Sequence, residues 1–175
     1  MEEIATRRSF VDRMAAAARL NVDLYEEVEA DTSATTQAMG VVAVVAVAQA
    51  IGSAGGGAGA IALGVVAAVL GWLLWAGITY LIGDKLLGGT ATWGELLRTL
   101  GFAQSPGVLY VLGILPVFGG IIRFAVAIWI LVAGIIAIRQ ALDFSTGRAI
   151  LTAVLGWLAV GIPVLLLGLA ASRLQ

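Results

Sequence analysis

Four stretches of this chain are apolar for long enough to cross a membrane: Ala38 to Ala54, Ile61 to Ile82, Ile121 to Ile138 and Ala149 to Ala171. A helical crossing needs about 20 predominantly apolar residues, because each residue advances about 1.5 Å through a hydrocarbon layer about 30 Å thick. In a chain of 175 residues, 61% hydrophobic and 12% charged, too few polar side chains remain to cover a water-soluble globule. Lipid is the expected solvent, and the fold class is all-α integral membrane. Length allows about four to six spans and no separate soluble enzyme. Cysteine and histidine are both absent. That excludes thiol catalysis, disulfides, histidine-ligated zinc or haem, and histidine acid–base chemistry; no cofactor is expected.

Residues 1–37 carry four arginines and eight acids and no apolar run of signal-peptide length, so they form a retained cytoplasmic amphipathic head. On a helical wheel Phe10, Val11, Met14, Ala17 and Ala18 share one face, and Arg8, Asp12, Arg13 and Arg19 the other. Such a helix packs on its own bundle or on headgroups. Asn21 to Asp31 reads as a second short helix, with Asp23 as its cap and Glu26 completing a capping box.

The membrane domain, residues 38–171, is expected to hold five helices at about 38–54, 61–82, 99–118, 121–138 and 149–171, followed by a tail at 172–175. The first ends in the uncharged loop Gly55-Gly56-Gly57-Ala58-Gly59. No Gly-Lys-Ser/Thr follows, so this is a turn and not a phosphate loop. In the second, Ala60, Gly64, Ala67, Ala68 and Gly71 form a small-residue face suited to close helix packing and self-association, with Trp72, Trp75 and Tyr80 towards the other end. Thr92 and Glu95 are spaced as a capping box and open a helix with Trp93, Leu96, Leu97 and Leu100 on one face. That helix is expected to lie at the interface before the third span, with Arg98 reaching headgroups. Pro163 marks a kink in the fifth.

Five spans place Arg7, Arg8, Arg13, Arg19, Lys85, Arg98, Arg139 and Arg148 on the N-terminal side and leave Arg123 and Arg173 opposite. Eight against two predicts a cytoplasmic N-terminus and an external C-terminus. A re-entrant third segment again gives eight against two, so charge alone does not choose. The polar character of 139–148 and the uncharged 116–120 favour five.

Ionisable groups within or near spans mark function in a membrane. Asp84 and Asp143 lie at span ends on one side, but Leu81-Ile82-Gly83-Asp84 lacks the first glycine of an aspartyl intramembrane protease motif, and a serine site lacks its histidine. Arg123, just inside the fourth span, is expected to snorkel to outer headgroups; its functional reading is a contact to an anion or lipid headgroup. Gln49 either hydrogen-bonds across helices or lines a pathway.

Asp23-Leu24-Tyr25, Gly101-Phe102-Ala103-Gln104-Ser105-Pro106, Pro116-Val117-Phe118-Gly119-Gly120 and Arg139-Gln140-Ala141-Leu142-Asp143-Phe144-Ser145-Thr146-Gly147-Arg148-Ala149, in this order, resemble the YIP domain, the membrane domain of the Ypt/Rab-interacting proteins. The resemblance covers about Arg13 to Leu169 and is nearest to prokaryotic members. It implies five spans with a cytoplasmic N-terminus, and association of Asp23, Leu24 and Tyr25 with partners, which in eukaryotic members are small GTPases. Where the eukaryotic pattern continues with Gly-Pro, this chain has Glu26-Glu27. The expected function is a non-enzymatic scaffold or adaptor in the plasma membrane of a prokaryote, in contact with lipids and other proteins. The alternatives are a small-solute, ion or lipid transporter and an accessory subunit of a larger membrane complex. Nucleic acid is not an expected partner.

Overall fold

The computed structural model describes residues 8–53 and 57–172, with side chains described as far as Val160 and at Ile162. Gly55 and Gly56 of the first loop, the side chain of Pro163, Arg7, Arg173 and residues 173–175 lie outside them. Among the described residues every regular element is helical: α1 (Phe10–Ala18), α2 (Val22–Ala30), α3 (Ala34–Gly52), α4 (Ala58–Tyr80), α5 (Trp93–Phe102), α6 (Gly119–Ala141) and α7 (Thr146–Ser172). A π-helical turn, Leu81–Leu86, extends α4, and a 3₁₀ stretch, Ser105–Ile114, follows α5.

Among the described residues three helices are long and apolar enough to cross a membrane, Ala34–Gly52, Ala58–Leu86 and Gly119–Ala141, and the described part of α7, Thr146–Val160, is a shorter apolar helix. The third predicted span, 99–118, does not form one helix. α5 ends at Phe102, and the chain re-enters as a 3₁₀ stretch opening at Ser105-Pro106. Pro106 has no N–H to give the Phe102 carbonyl four residues back, so α-helical hydrogen bonding cannot run through this point, whereas the first turn of the 3₁₀ stretch accommodates proline. Ser105 turns its hydroxyl onto the Phe102 carbonyl at 2.7 Å and satisfies one of the carbonyls this leaves. Ten residues of 3₁₀ helix advance only about 20 Å, less than the hydrocarbon thickness, so a crossing by this segment needs α5 as well.

α3 is the spine on which this broken segment lies. Ala38, Val41, Val42, Val45, Ala48 and Gly52 form its buried seam. A Cβ at Gly101 would meet Ala38 Cβ at 2.7 Å, one at Gly107 would meet Val45 Cγ1 at 2.5 Å, and one at Gly52 would overlap the Tyr110 carbonyl. Contacts at 38, 45 and 52 recur every seven residues, two helical turns, and bring the two backbones together through small residues instead of interlocking side chains.

α5 is covered by the chain's own helices. Every residue from Leu96 to Phe102 is buried, and Trp72, expected near a membrane surface, is buried against it and donates its indole N–H to the Leu97 carbonyl at 3.0 Å. The small-residue face of α4 stays uncovered within the chain: a Cβ at Gly64 or Gly71 would meet nothing within 4 Å. The π-helical turn is where Leu142 inserts, its side chain filling the space a Cβ at Gly83 or Gly89 would occupy.

Candidate functional sites at the two ends of the bundle

At the head end the wheel assignment of α1 is reversed for two residues. Val11 is 69% exposed and Arg13 only 1%. The Arg13 guanidinium donates from Nε to Glu27 Oε1 (3.0 Å), from Nη1 to Gln37 Oε1 (2.9 Å) and from Nη2 to Asp31 Oδ2 (2.8 Å), while Arg8 Nη1 reaches Glu27 Oε2 at 2.9 Å. One side chain thereby joins α1, α2 and α3. Burial works against its charge, but the bonds to Asp31 and Glu27 outweigh it and raise its pKa above the ordinary value. A wheel treats a helix as if water lay on one side, and gives no sign of carboxylates arriving from the next helix.

The predicted cap of α2 also moves. Asn21, not Asp23, is the N-cap, its Oδ1 accepting from the Leu24 N–H at 3.2 Å, so Asp23 sits in the first turn beside the helix's positive end. Leu24 and Tyr25 are fully buried. Tyr25 donates its hydroxyl to the Ala17 carbonyl at 3.3 Å, and burial pushes the phenol's pKa up. These two side chains hold α2 to the body; of the three motif residues only Asp23 is exposed. Arg98 does not reach headgroups. It is 6% exposed and donates from Nε to the carbonyls of Val28 (2.8 Å) and Glu29 (3.0 Å), capping the negative end of α2 with a cation.

Beside that cap, Glu26, Glu29, Ala30, Glu95, Gln140 and Asp143 line a recess of about 400 Å³. Three of its four carboxylates have partners. Glu95 accepts from the Thr92 N–H at 2.7 Å while Thr92 Oγ1 accepts from the Glu95 N–H at 3.3 Å, the complete capping box. Glu26 accepts from Gln140 Nε2 at 2.9 Å, and Asp143 from the Thr90 hydroxyl at 2.8 Å. Glu29 is pushed up to about 7, first by burial and then by Glu95, Asp143 and Glu26, with Arg98 pulling the other way. Asp84 pairs with Lys85 at 2.8 Å, so the two acids of the protease reading engage different partners. Among the described residues no group of three or more acids is arranged to hold a metal ion.

At the opposite end Arg123 is exposed and folds back onto the chain. Its Nη2 donates to the carbonyls of Gly52, at the end of α3, and Gly113, in the 3₁₀ stretch. Glycines make the seat: a Cβ at Gly113 would meet Arg123 Nε at 2.8 Å, and one at Gly119 would overlap the Gly113 carbonyl. Gln49, Ser53, Tyr110, Arg123, Phe124 and Ala127 line a cavity of about 410 Å³. Gln49 and Arg123, far apart in sequence, therefore share one cavity. Gly52 and Gly113 carried no sequence signal, because nothing local marks a carbonyl as an arginine's acceptor.

The amphipathic head, the break at Ser105-Pro106 and the turn at Pro116 to Gly120 all fall in one helical membrane body. A family model, the Yip1 domain, matches residues 28–168. The chain belongs to the Yip1 domain family. No curated protein and no solved structure matches it. The match begins at Val28, so it takes in all of the recess but Glu26, with the capping box, Gln49 and Arg123. Residues 1–27, with Arg13 and the Asp23-Leu24-Tyr25 motif, precede it. As a Yip1 domain protein with several apolar helices, it is an integral membrane protein.

Proposed function

We propose that this Yip1 domain protein is a non-enzymatic scaffold or adaptor of a prokaryotic plasma membrane, with five spans, the head on the cytoplasmic side and the C-terminus outside. The observation that supports this most is the way the head is fastened. Arg13 ties α1 to α2 and α3, Arg98 caps α2 from α5, and Gln140 of α6 reaches Glu26. A head held at so many points keeps one shape, and a fixed surface loses less entropy when a partner docks on it. The exposed residues of α2 are mostly acidic, Asp23 and Glu26 among them, so the surface offered is negative and suits a basic partner. The uncovered face of α4 is a route to a second copy.

Co-purification in mild detergent tests the reading. Asp23→Lys should lose a partner that the wild type retains, with melting unchanged. Retrieval of a fixed set of membrane subunits would instead favour the accessory-subunit reading. The transporter reading rests on the cavity shared by Gln49 and Arg123. Specific flux across liposomes, abolished by Gln49→Leu, would replace the scaffold with it.

A further inference from the structure

The cavity at Arg123 has donors but no acid. Of its lining groups, the Gln49 amide, the Tyr110 hydroxyl and the Arg123 guanidinium all donate hydrogen bonds, and none of the lining side chains is a carboxylate. Arg123 spends Nη2 on two carbonyls, which fix its position and leave its charge unneutralised. Its Nε and Nη1 donate to no described residue, and it forms no ion pair among them. A fixed cation at the edge of an apolar bundle, without a counter-ion, favours an anion that can use the rest of its fork.

The cavity also has an apolar continuation. Phe124 and Ala127 line both it and a crevice of about 540 Å³ between α6 and α7, walled further by Leu131, Val154 and Trp157. Nearly all of that crevice is hydrocarbon. A recess that presents donors and no acid, adjoining an apolar trough, matches a molecule with a phosphate at one end and an acyl chain at the other.

We propose that the Arg123 cavity and the α6–α7 crevice bind one anionic phospholipid, its phosphate diester held by Arg123, Gln49 and Tyr110 and one acyl chain lying over Phe124 and Ala127 into the crevice. This goes beyond the scaffold reading and does not depend on it. A free phosphate would use the polar end alone and leave the trough without purpose.

Native mass spectrometry of the full chain in mild detergent, titrated with phosphatidylglycerol, tests the assignment. One lipid per chain should be retained, and Arg123→Gln should weaken retention by about tenfold or more, as loss of a charge-assisted contact does. Because Arg123 also seats two carbonyls, Gln49→Leu and Ala127→Trp carry the test where Arg123→Gln melts early. Both should weaken retention with melting unchanged, and Arg19→Gln at the head end should retain lipid like wild type. Full retention in folded Gln49→Leu and Ala127→Trp would overturn the proposal. So would equal retention of phosphatidylcholine, or displacement of the lipid by millimolar inorganic phosphate.

Discussion

The indole N–H of Trp129, near the midpoint of α6, donates to the main-chain carbonyl of Ala18 in the last turn of α1 at 2.8 Å. The last turn of α1 therefore rests against α6, and Phe10 beside Gly40 sets its first turn against α3. Trp129→Phe keeps the ring and removes the donor. It should cost about 0.5–1.5 kcal/mol, the net worth of one hydrogen bond, and the loss should appear as local opening of α1. Faster tryptic cleavage at the exposed Arg19, with the main melting transition little changed, is the expected result. Unchanged cleavage would mean that the indole bond does not hold the head.

Arg13 is the stronger tie. Removing one partner of a buried ionic network leaves the others uncompensated, so Arg13→Ala should cost about 3–5 kcal/mol. Neutralising the whole set, Arg13→Met with Glu27→Gln and Asp31→Asn, should recover most of that loss. Detergent melting of the single and triple variants checks it. A triple variant as unstable as Arg13→Ala would show that packing, not charge, sets the cost.

Glu29 gives the head a pH dependence. Its carboxyl is raised in the folded protein from 4.5 to about 7, so between those values the folded chain holds a proton that the unfolded chain has released. Stability linked to this group is thus greatest at low pH, falls as pH rises across that window and levels off above about 7. Glu29→Gln removes the titrating group and should melt higher than wild type at pH 8, with the gap closing towards pH 5. Each kcal/mol of relieved repulsion is worth about 2–4 °C in a domain of this size. Parallel pH–melting curves for the two proteins would refute the assignment.

What the sequence makes legible here is what a single helix decides for itself. The apolar runs of α4 and α6 and the Thr92–Glu95 capping box depend on residues close in the chain. Arg13, Arg98 and Arg123 were each expected to face outward, because a long cation on a short helix or near a span end usually does. Arg13 and Arg98 turn inward, and Arg123, though exposed, folds back onto the bundle, because their acceptors arrive from elsewhere: carboxylates of α2, carbonyls at the end of α2, carbonyls of Gly52 and Gly113. The third segment departs from a single helix for a related reason. Its hydropathy was read correctly, but Pro106 and the glycines that fit against α3 decide its shape. The shared cavity of Gln49 and Arg123 depends on the 3₁₀ stretch packing against both α3 and α6, which no local pattern encodes.

Topology can be read directly, since no native cysteine interferes. Single cysteines near Arg19, Asp84 and Thr146 should be shielded from an impermeant reagent in intact cells, and ones near Gly57 and Gln175 should label. Labelling near Thr146 with protection at Gln175 would establish the re-entrant third segment in place of five crossings.

The glycines separate packing from composition. At Gly52 an added methyl would run into the Tyr110 carbonyl, a backbone atom that cannot swing aside, so α3 and the 3₁₀ stretch would have to part. At Gly64 and Gly71, in the apolar middle of α4, the same methyl meets nothing within 4 Å. Alanine there only restricts the unfolded backbone and favours the helix. Gly52→Ala should therefore destabilise by about 1–3 kcal/mol or more, as overpacking does, whereas Gly64→Ala and Gly71→Ala should be neutral or stabilising by up to about 1 kcal/mol. Because Gly52 also supplies an acceptor to Arg123, its variant should disturb the far-end cavity while leaving Arg19 as resistant to trypsin as in wild type. Detergent melting together with that cleavage assay reads both effects. If Gly52→Ala melted like Gly64→Ala, the close approach at the end of α3 would not be what holds the broken third segment in place.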